Sequence, residues 1–397
     1  MSRQGAAGDN PPMQFDVVIV GGGLAGLALA AGLRRSPLSV ALVEGRAPQP
    51  VAGWDARIYA ISPANARFLE SIGAWGHLDS SRLQRVGAME VHGDAGGRLD
   101  FSAYDCGAGE LAWILESSLM QRELWETAKR QGNLQLLCPA RPRRLAFESD
   151  VACLALEDGR ELSAKLVVAA DGADSWTRSA AGIDVRFDPY DQLGIVANFA
   201  AEQPHRGTAF QWFRSDGILA WLPLPGDRIS MVWSTPTSHG KELLALDPAE
   251  LCARVVAAGA DRLGRFEQIT PAAGFPLRLM RAPHAVAPRL ALIGDAAHTI
   301  HPLSGHGINL GFQDARALTE ILCAKPGHVD CGDHSLLRGY ERARKEEVVA
   351  LQAVTDGLNS LFGAAEGPLV GLRNFGLNLT NSLPVIKSLL VRYALAT

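Results

Sequence analysis

The sequence predicts an α/β fold, α+β in its second half. A parallel, Rossmann-like sheet is interleaved along the chain with a unit built on an antiparallel β-sheet, and the C-terminus is helical. Three observations carry this expectation. The β-branched run FDVVIV at 15–20 opens into a glycine-rich turn and then an apolar helical run. Two later apolar runs, LVVAAD and LALIGD, also end on glycine or aspartate. Between Gly182 and Pro276 the pattern changes to short alternating β runs, LGIVANFA, TAFQWFR, GILAWLPL and RISMVWS.

Residues 1–14, rich in Gly, Pro and polar types, read as a flexible tail. Gly21, Gly23 and Gly26 then stand in G-x-G-x-x-G spacing, and the second strand, SVALVE, ends in Glu44, 18 residues beyond Gly26. The first glycine permits the turn, the second lets backbone approach a pyrophosphate, and the third lets the helix pack on the strand. The helix N-terminus then faces the negative charge, and Glu44 suits a ribose diol. The uncharged stretch Val17–Leu33 also resembles a signal peptide or a short membrane span. Asp16 before it, three consecutive glycines within it and its length of 17 residues favour the nucleotide turn.

The parallel unit is expected to use residues 15–85, 111–183 and 277–330. Residues 86–110, which pattern as a hairpin, join 184–276 in the second unit, so this unit is inserted and not appended. Trp212, Trp221 and Trp233 fall in successive β runs. They read either as the wall of an aromatic pocket or as sheet core. Residues 331–397 read as C-terminal helices. The stripe Val385, Ile386, Leu389, Leu390 and Tyr393 either docks on its own domain or touches a membrane or partner.

The charge balance, 38 Lys+Arg against 42 Asp+Glu for a net −4, disfavours a nucleic-acid partner. The 47% hydrophobic content is that of a globular chain. Six cysteines without a CxxC pair read as free thiols of a cytoplasmic protein, with no metal site expected. P-loop, metalloprotease and nucleophile-elbow motifs are absent, as is a second dinucleotide fingerprint.

Both NAD and FAD use such a nucleotide unit, and further blocks distinguish them. KLVVAADGADSWTR at 165–178 contains Asp171-Gly172, Ser175 and Arg178. RLALIGDAAHTIHPLSGHGINLGFQD at 289–314 contains Gly294-Asp295, Pro302, Gly305 and Gly307. Asp55-Ala56-Arg57, Ala60-Ile61-Ser62 and Ile114-Leu115-Glu116 followed by Gln121 accompany them. Over residues 15–395 the chain resembles the single-component FAD-dependent aromatic hydroxylases, with a para-hydroxybenzoate-hydroxylase-like fold. Within these it is similar to the ubiquinone-biosynthesis ring hydroxylases. Ser304 and His306 stand where that family commonly has Ala and Gln.

The resemblance implies bound FAD, with NAD(P)H and O2 as co-substrates and a prenylated phenol or quinone precursor as substrate. Oxygen transfer would run through a flavin C4a-hydroperoxide. Glu44 would hold the adenosine ribose, while Arg57 and Gln121 contact the phosphate or ribityl portion. Asp171-Gly172 would lie near FAD and the nicotinamide path, and Gly294-Asp295 at the ribityl-phosphate region. The backbone of Gly305, Gly307, Ile308 and Asn309 would face the isoalloxazine, where a helix N-terminus stabilises negative charge. His298, His301 and His306 are candidate bases for the phenol, and Pro302 belongs to a wall that keeps water out. His301, Pro302 and His306 are the catalytic candidates. Two alternatives stay open: another flavin-dependent aromatic hydroxylase, or a non-catalytic FAD-binding subunit of a quinone-biosynthesis complex.

Overall fold

A computed structural model describes residues 11–300 and 307–363, together with Asn374, Asn378, Leu379 and Asn381. His301, Pro302, Gly305, His306 and the apolar stripe of the tail lie outside the described residues.

Strand β1 (Met13–Val20) begins inside the stretch expected as a tail, because Met13 and Gln14 already pair with Leu162 and Ser163. It leads through α1 (Leu24–Gly32) to β2 (Val40–Val43), β3 (Ile58–Ile61) and α2 (Pro63–Ser71). Next come β4 (Gln84–Val86), β5 (Ala88–His92), β6 (Arg98–Ser102), β7 (Ala112–Glu116) and α3 (Ser117–Lys129). Strands β8 (Leu134–Leu137), β9 (Pro142–Phe147), β10 (Ala152–Leu156) and β11 (Glu161–Ala169) precede α4 (Trp176–Ala180). The long β12 (Arg186–Ala201) starts the second half, followed by β13 (Thr208–Arg214), β14 (Gly217–Leu224) and β15 (Arg228–Pro236). Helices α5 (Thr237–Ala245) and α6 (Pro248–Ala258) come before β16 (Phe266–Gln268) and β17 (Ala273–Arg281). The chain returns through β18 (Val286–Ala287), β19 (Leu290–Leu292) and β20 (His298–Thr299), followed by α7 (Gly307–Ala324) and α8 (His334–Gly363).

The first sheet places β19, β11, β1, β2 and β8 side by side, all parallel. Val17 to Val20 are buried on both faces, which explains why this strand has no polar alternation. Val20 pairs with Ala169, and Ala169 with Leu292. The three motif-bearing loops therefore leave the sheet at one carboxyl edge, where open α/β sheets bind ligands. The apolar stretch Val17–Leu33 is this buried strand and helix. Among the described residues no helix is long and apolar enough to cross a membrane.

The second sheet runs β20-β17-β12-β15-β14-β13-β5-β6, with β16 on β12. It is antiparallel except where β13 meets β5, and the hairpin β5–β6 joins it from the first half of the chain. Strand β17 runs across the boundary expected at 277. A short sheet, β3-β7-β4, was not anticipated. Trp212, Trp221 and Trp233 pack with Leu243 of α5 and Leu251 and Val255 of α6. They are sheet core.

Helix α6 starts with a reciprocal capping box: Asp247 accepts from the Glu250 backbone N–H, and Glu250 from that of Asp247. Asp247→Ala is expected to lower stability by about 1 kcal/mol in denaturant titration. Ligand binding in the cavity described next should not change, since α6 lies on the far side of the sheet from it.

Candidate active site

Gly21 sits at φ +112°, and a Cβ there would stand 2.4 Å from the Ala170 carbonyl oxygen. A Cβ on Gly26 would stand 2.1 Å from the carbonyl oxygen of Gly21. Around Gly23, the N-cap of α1, nothing lies within 4 Å of the corresponding position. The turn is thus closed by two glycines and left open at the third, the shape that admits a ligand against backbone.

Two side chains brace the turn. Glu44 Oε2 accepts from the Gly22 N–H at 2.6 Å, and Gln121 Nε2 donates to the Gly22 carbonyl at 2.9 Å. Glu44 Oε1 accepts from the Arg46 N–H at 2.9 Å. Each carboxylate oxygen keeps a further lone pair for a ligand hydroxyl.

The N-terminus of α7 reaches the same space. A Cβ on Gly294 would lie 3.2 Å from Ala25 Cβ, and one on Gly311 would lie 3.4 Å from it. The small residues let α1, α7 and the end of β19 meet, so that Gly307, Ile308 and Gly311 line one cavity with Gly21 and Gly23. First-turn N–H groups of both helices lack intrahelical partners, and both helix ends are electropositive. The Asn309 side chain, expected at the cofactor, also anchors α7. It accepts from the Ser62 N–H at 2.9 Å and donates to the Ala60 carbonyl at 2.8 Å.

Asp171 stands at the cavity wall, but its carboxylate caps α4. One oxygen accepts from the Ser175 hydroxyl, and the other from the Thr177 N–H and hydroxyl, both at 2.9 Å. Gly172 follows at φ +85° with open space around its Cβ position. Arg57 and Asp295 both line the cavity. Their side chains make no hydrogen bond among the described residues. The surrounding walls desolvate the Asp295 carboxyl and push it above its ordinary pKa, against the attraction of His298 and Arg57.

His298 is not a free base. Its Nε2 lies 2.7 Å from Asp314 Oδ2, which also accepts from the Gly294 N–H at 2.9 Å. The other Asp314 oxygen accepts from Arg344 Nε at 2.8 Å. Burial opposes ionisation of Asp314, yet His298 and Arg344 overcome it and hold the carboxyl below the usual range. This cluster, contributed by β20, α7 and α8, supports the Gly294-Asp295 turn from behind. Sequence reasoning missed Asp314. The available signal was Leu337, Tyr340 and Arg344 at helical spacing, all buried, with a charge on the inward stripe.

The cavity measures about 1290 Å³. That exceeds the roughly 300–1,000 Å³ of ordinary small-ligand pockets. Opposite the glycine turn its wall is the second sheet, through Val196, Ala220, Leu222 and Val232. Among the described residues no cluster of His, Cys, Asp or Glu could hold a metal ion. An open glycine cradle, two helix N-termini, and an arginine and an aspartate whose side chains make no hydrogen bond among the described residues together fit a flavin dinucleotide, with space left for a second ligand.

Fold and cavity define a flavin-dependent oxidoreductase. The family model described as FAD binding domain matches residues 14–355. The chain is 34% identical over 385 residues to a ubiquinone hydroxylase, UbiL, of Rhodospirillum rubrum, covering 96% of this chain and 90% of the relative. It is 32% identical to the 3-demethoxyubiquinol 3-hydroxylase of Escherichia coli, covering 96% and 98%. The solved structure of PqsL, a probable FAD-dependent monooxygenase from Pseudomonas aeruginosa, superposes with a TM-score of 0.73 at 25% identity, covering 92% of this chain and 99% of that one. The chain belongs to the FAD-dependent aromatic ring hydroxylases of the FAD binding domain family and binds FAD.

Proposed function

We propose that this protein hydroxylates the aromatic ring of a prenylated phenol precursor of ubiquinone, with NAD(P)H and O2 as co-substrates. The observation that carries this reading is one cavity bounded by a nucleotide cradle on one side and an apolar sheet face on the other. The names of the full-length relatives support the substrate class.

When bound, FAD supplies the electron transfer and oxygen chemistry, and the protein binds, orients and shields. Gly21, Gly23, Gly26 and the N-terminus of α1 take the pyrophosphate, with Glu44 on the adenosine ribose. Arg57 and Gln121 serve the phosphate and ribityl portion, and Gly294-Asp295 the ribityl hydroxyls. Asp171 shapes the loop in which Gly172 leaves room on the nicotinamide path. Backbone N–H groups of Gly307, Ile308 and Asn309 at the start of α7 would meet the pyrimidine edge and stabilise negative charge there, the role also assigned to Gly305, which lies outside the described residues. With His298 held by Asp314, the base that takes the phenol proton is assigned to His301 or His306, and Pro302 to the wall. The Val and Ala face of the second sheet keeps water from the reacting ring.

Purified protein should be yellow and should consume NAD(P)H and O2 when a prenylated phenol is added, yielding a product one oxygen atom heavier by mass spectrometry. Deleting the gene in its host should accumulate a quinone precursor lacking one ring hydroxyl. NAD(P)H oxidation that never hydroxylates any prenylated phenol would count against the proposal, as would protein that cannot be loaded with FAD.

A further inference from the structure

Rungs across the second sheet face alternate sides. One runs through Val91, Gln211, Ala220, Val232, Val196 and Ala273 on six neighbouring strands. The next, through Trp212, Leu219, Trp233 and Ile195, packs beneath α5 and α6. Apart from Val91, every member of the first rung lines the cavity. Five of its six residues are Val or Ala, and Gln211 is the exception. No other cavity-lining residue of β5, β6 and β12 to β15 carries a hydrogen-bonding side chain.

Gln211 is 7% exposed, and its carboxamide makes no hydrogen bond among the described residues. Buried amides in folded proteins are normally paired. Asn198 on β12 illustrates the ordinary use: its Nδ2 donates to the Asp55 carbonyl at 2.8 Å and ties the second sheet to the loop before β3. Gln211 does no such work. With Met89 and Phe101 also at the cavity wall, it offers two donors and a carbonyl acceptor from a sheet face otherwise apolar.

We propose that Gln211 determines substrate specificity by hydrogen bonding the phenolic oxygen of the ring, thereby setting how the ring lies against the apolar sheet face of the cavity. This inference deepens the reading of a prenylated phenol substrate and rests on it. An amide can donate to a phenolate or accept from a phenol, so it serves the ring before and after deprotonation. A site built to pair with a hydroxyl rejects the analogue that lacks it, because the site's own polar group is then left unpaired.

The test uses FAD-loaded protein and two probes, 2-prenylphenol and prenylbenzene, with Kd read from perturbation of the flavin absorbance. Wild type is expected to prefer the phenol by about tenfold, the size of one hydrogen bond. Gln211→Met, close in volume, should bring the two affinities to within about twofold, while Gln211→Asn should keep part of the preference. Without ligand, Gln211→Met should melt no lower than wild type, since no native hydrogen bond is removed. Preference for the phenol retained in Gln211→Met, or a clear fall in its melting temperature, overturns the inference. If wild type binds both probes equally, the inference fails alone. If it binds neither, the proposed substrate class falls and takes the inference with it.

Discussion

Gly26→Ala should give protein without flavin colour and with lowered stability. The added methyl would stand 2.1 Å from the Gly21 carbonyl oxygen, which is backbone on a turn already fixed by its own close contact with Ala170. Neither partner is the flexible end of a side chain, so α1 must move off the strand. Overpacking of this kind costs about 1–3 kcal/mol. The movement also opens the cradle that α1 presents, and FAD affinity should fall by at least about a hundredfold, roughly 3 kcal/mol. Gly23→Ala is the matched control. Its methyl meets nothing in the protein and projects into open space, so this variant should melt like wild type but hold FAD less tightly. Flavin absorbance per protein and thermal melting, measured on both variants, separate the two roles. A Gly26→Ala protein that is fully yellow and melts like wild type would refute the packing account.

Asp314→Asn should destabilise the fold by about 3 kcal/mol at neutral pH, since it removes the buried anion shared by His298 and Arg344 and leaves Arg344 only the partly exposed Glu347 as counter-ion. Chemical denaturation measures this directly. The pH dependence follows from the depressed pKa of Asp314. Such a group binds its proton more readily unfolded than folded. Its contribution is therefore complete above the unfolded value of about 3.9 and is lost as pH falls through the lower folded value. Wild type should lose this increment only in the acid range below about pH 4, and Asp314→Asn should lack that part of the profile. A difference of less than 1 kcal/mol between the two proteins at pH 7, on the scale of an exposed pair, would show that the cluster is solvated and not structural.

The nucleotide unit was legible because its signals are local. Glycine spacing, β-branched runs and one acid at a strand end are set by backbone sterics within some thirty residues. The second sheet was legible as alternating runs, but alternation does not say which face is covered. Only the packing of α5 and α6 puts Trp212, Trp221 and Trp233 in a core and hands the cavity to valine and alanine. Strands of three to five residues, such as those of β3-β7-β4, carry too few side chains for a period to register. At the site, residue types marked the correct loops and left partners open. Asp171 caps a helix and Asn309 anchors one, and both bonds depend on neighbours that folding supplies. His298, Asp314 and Arg344 are spread over three elements, and no spacing rule links them.

The contact of Ala25 with Gly294 and Gly311 has a consequence for ligand length. It holds the starts of α1 and α7 at a set separation, like the jaws of a gauge. In the proposed placement one jaw grips the pyrophosphate and the other the far end of the isoalloxazine. ADP, which carries the pyrophosphate without the flavin ring, or riboflavin, which carries the ring without a phosphate, would engage one jaw only and forfeit the second as an intramolecular gain. The preference for a ligand that joins phosphate and flavin ring at the right span would then be made by three small residues, through the distance they impose on two helices.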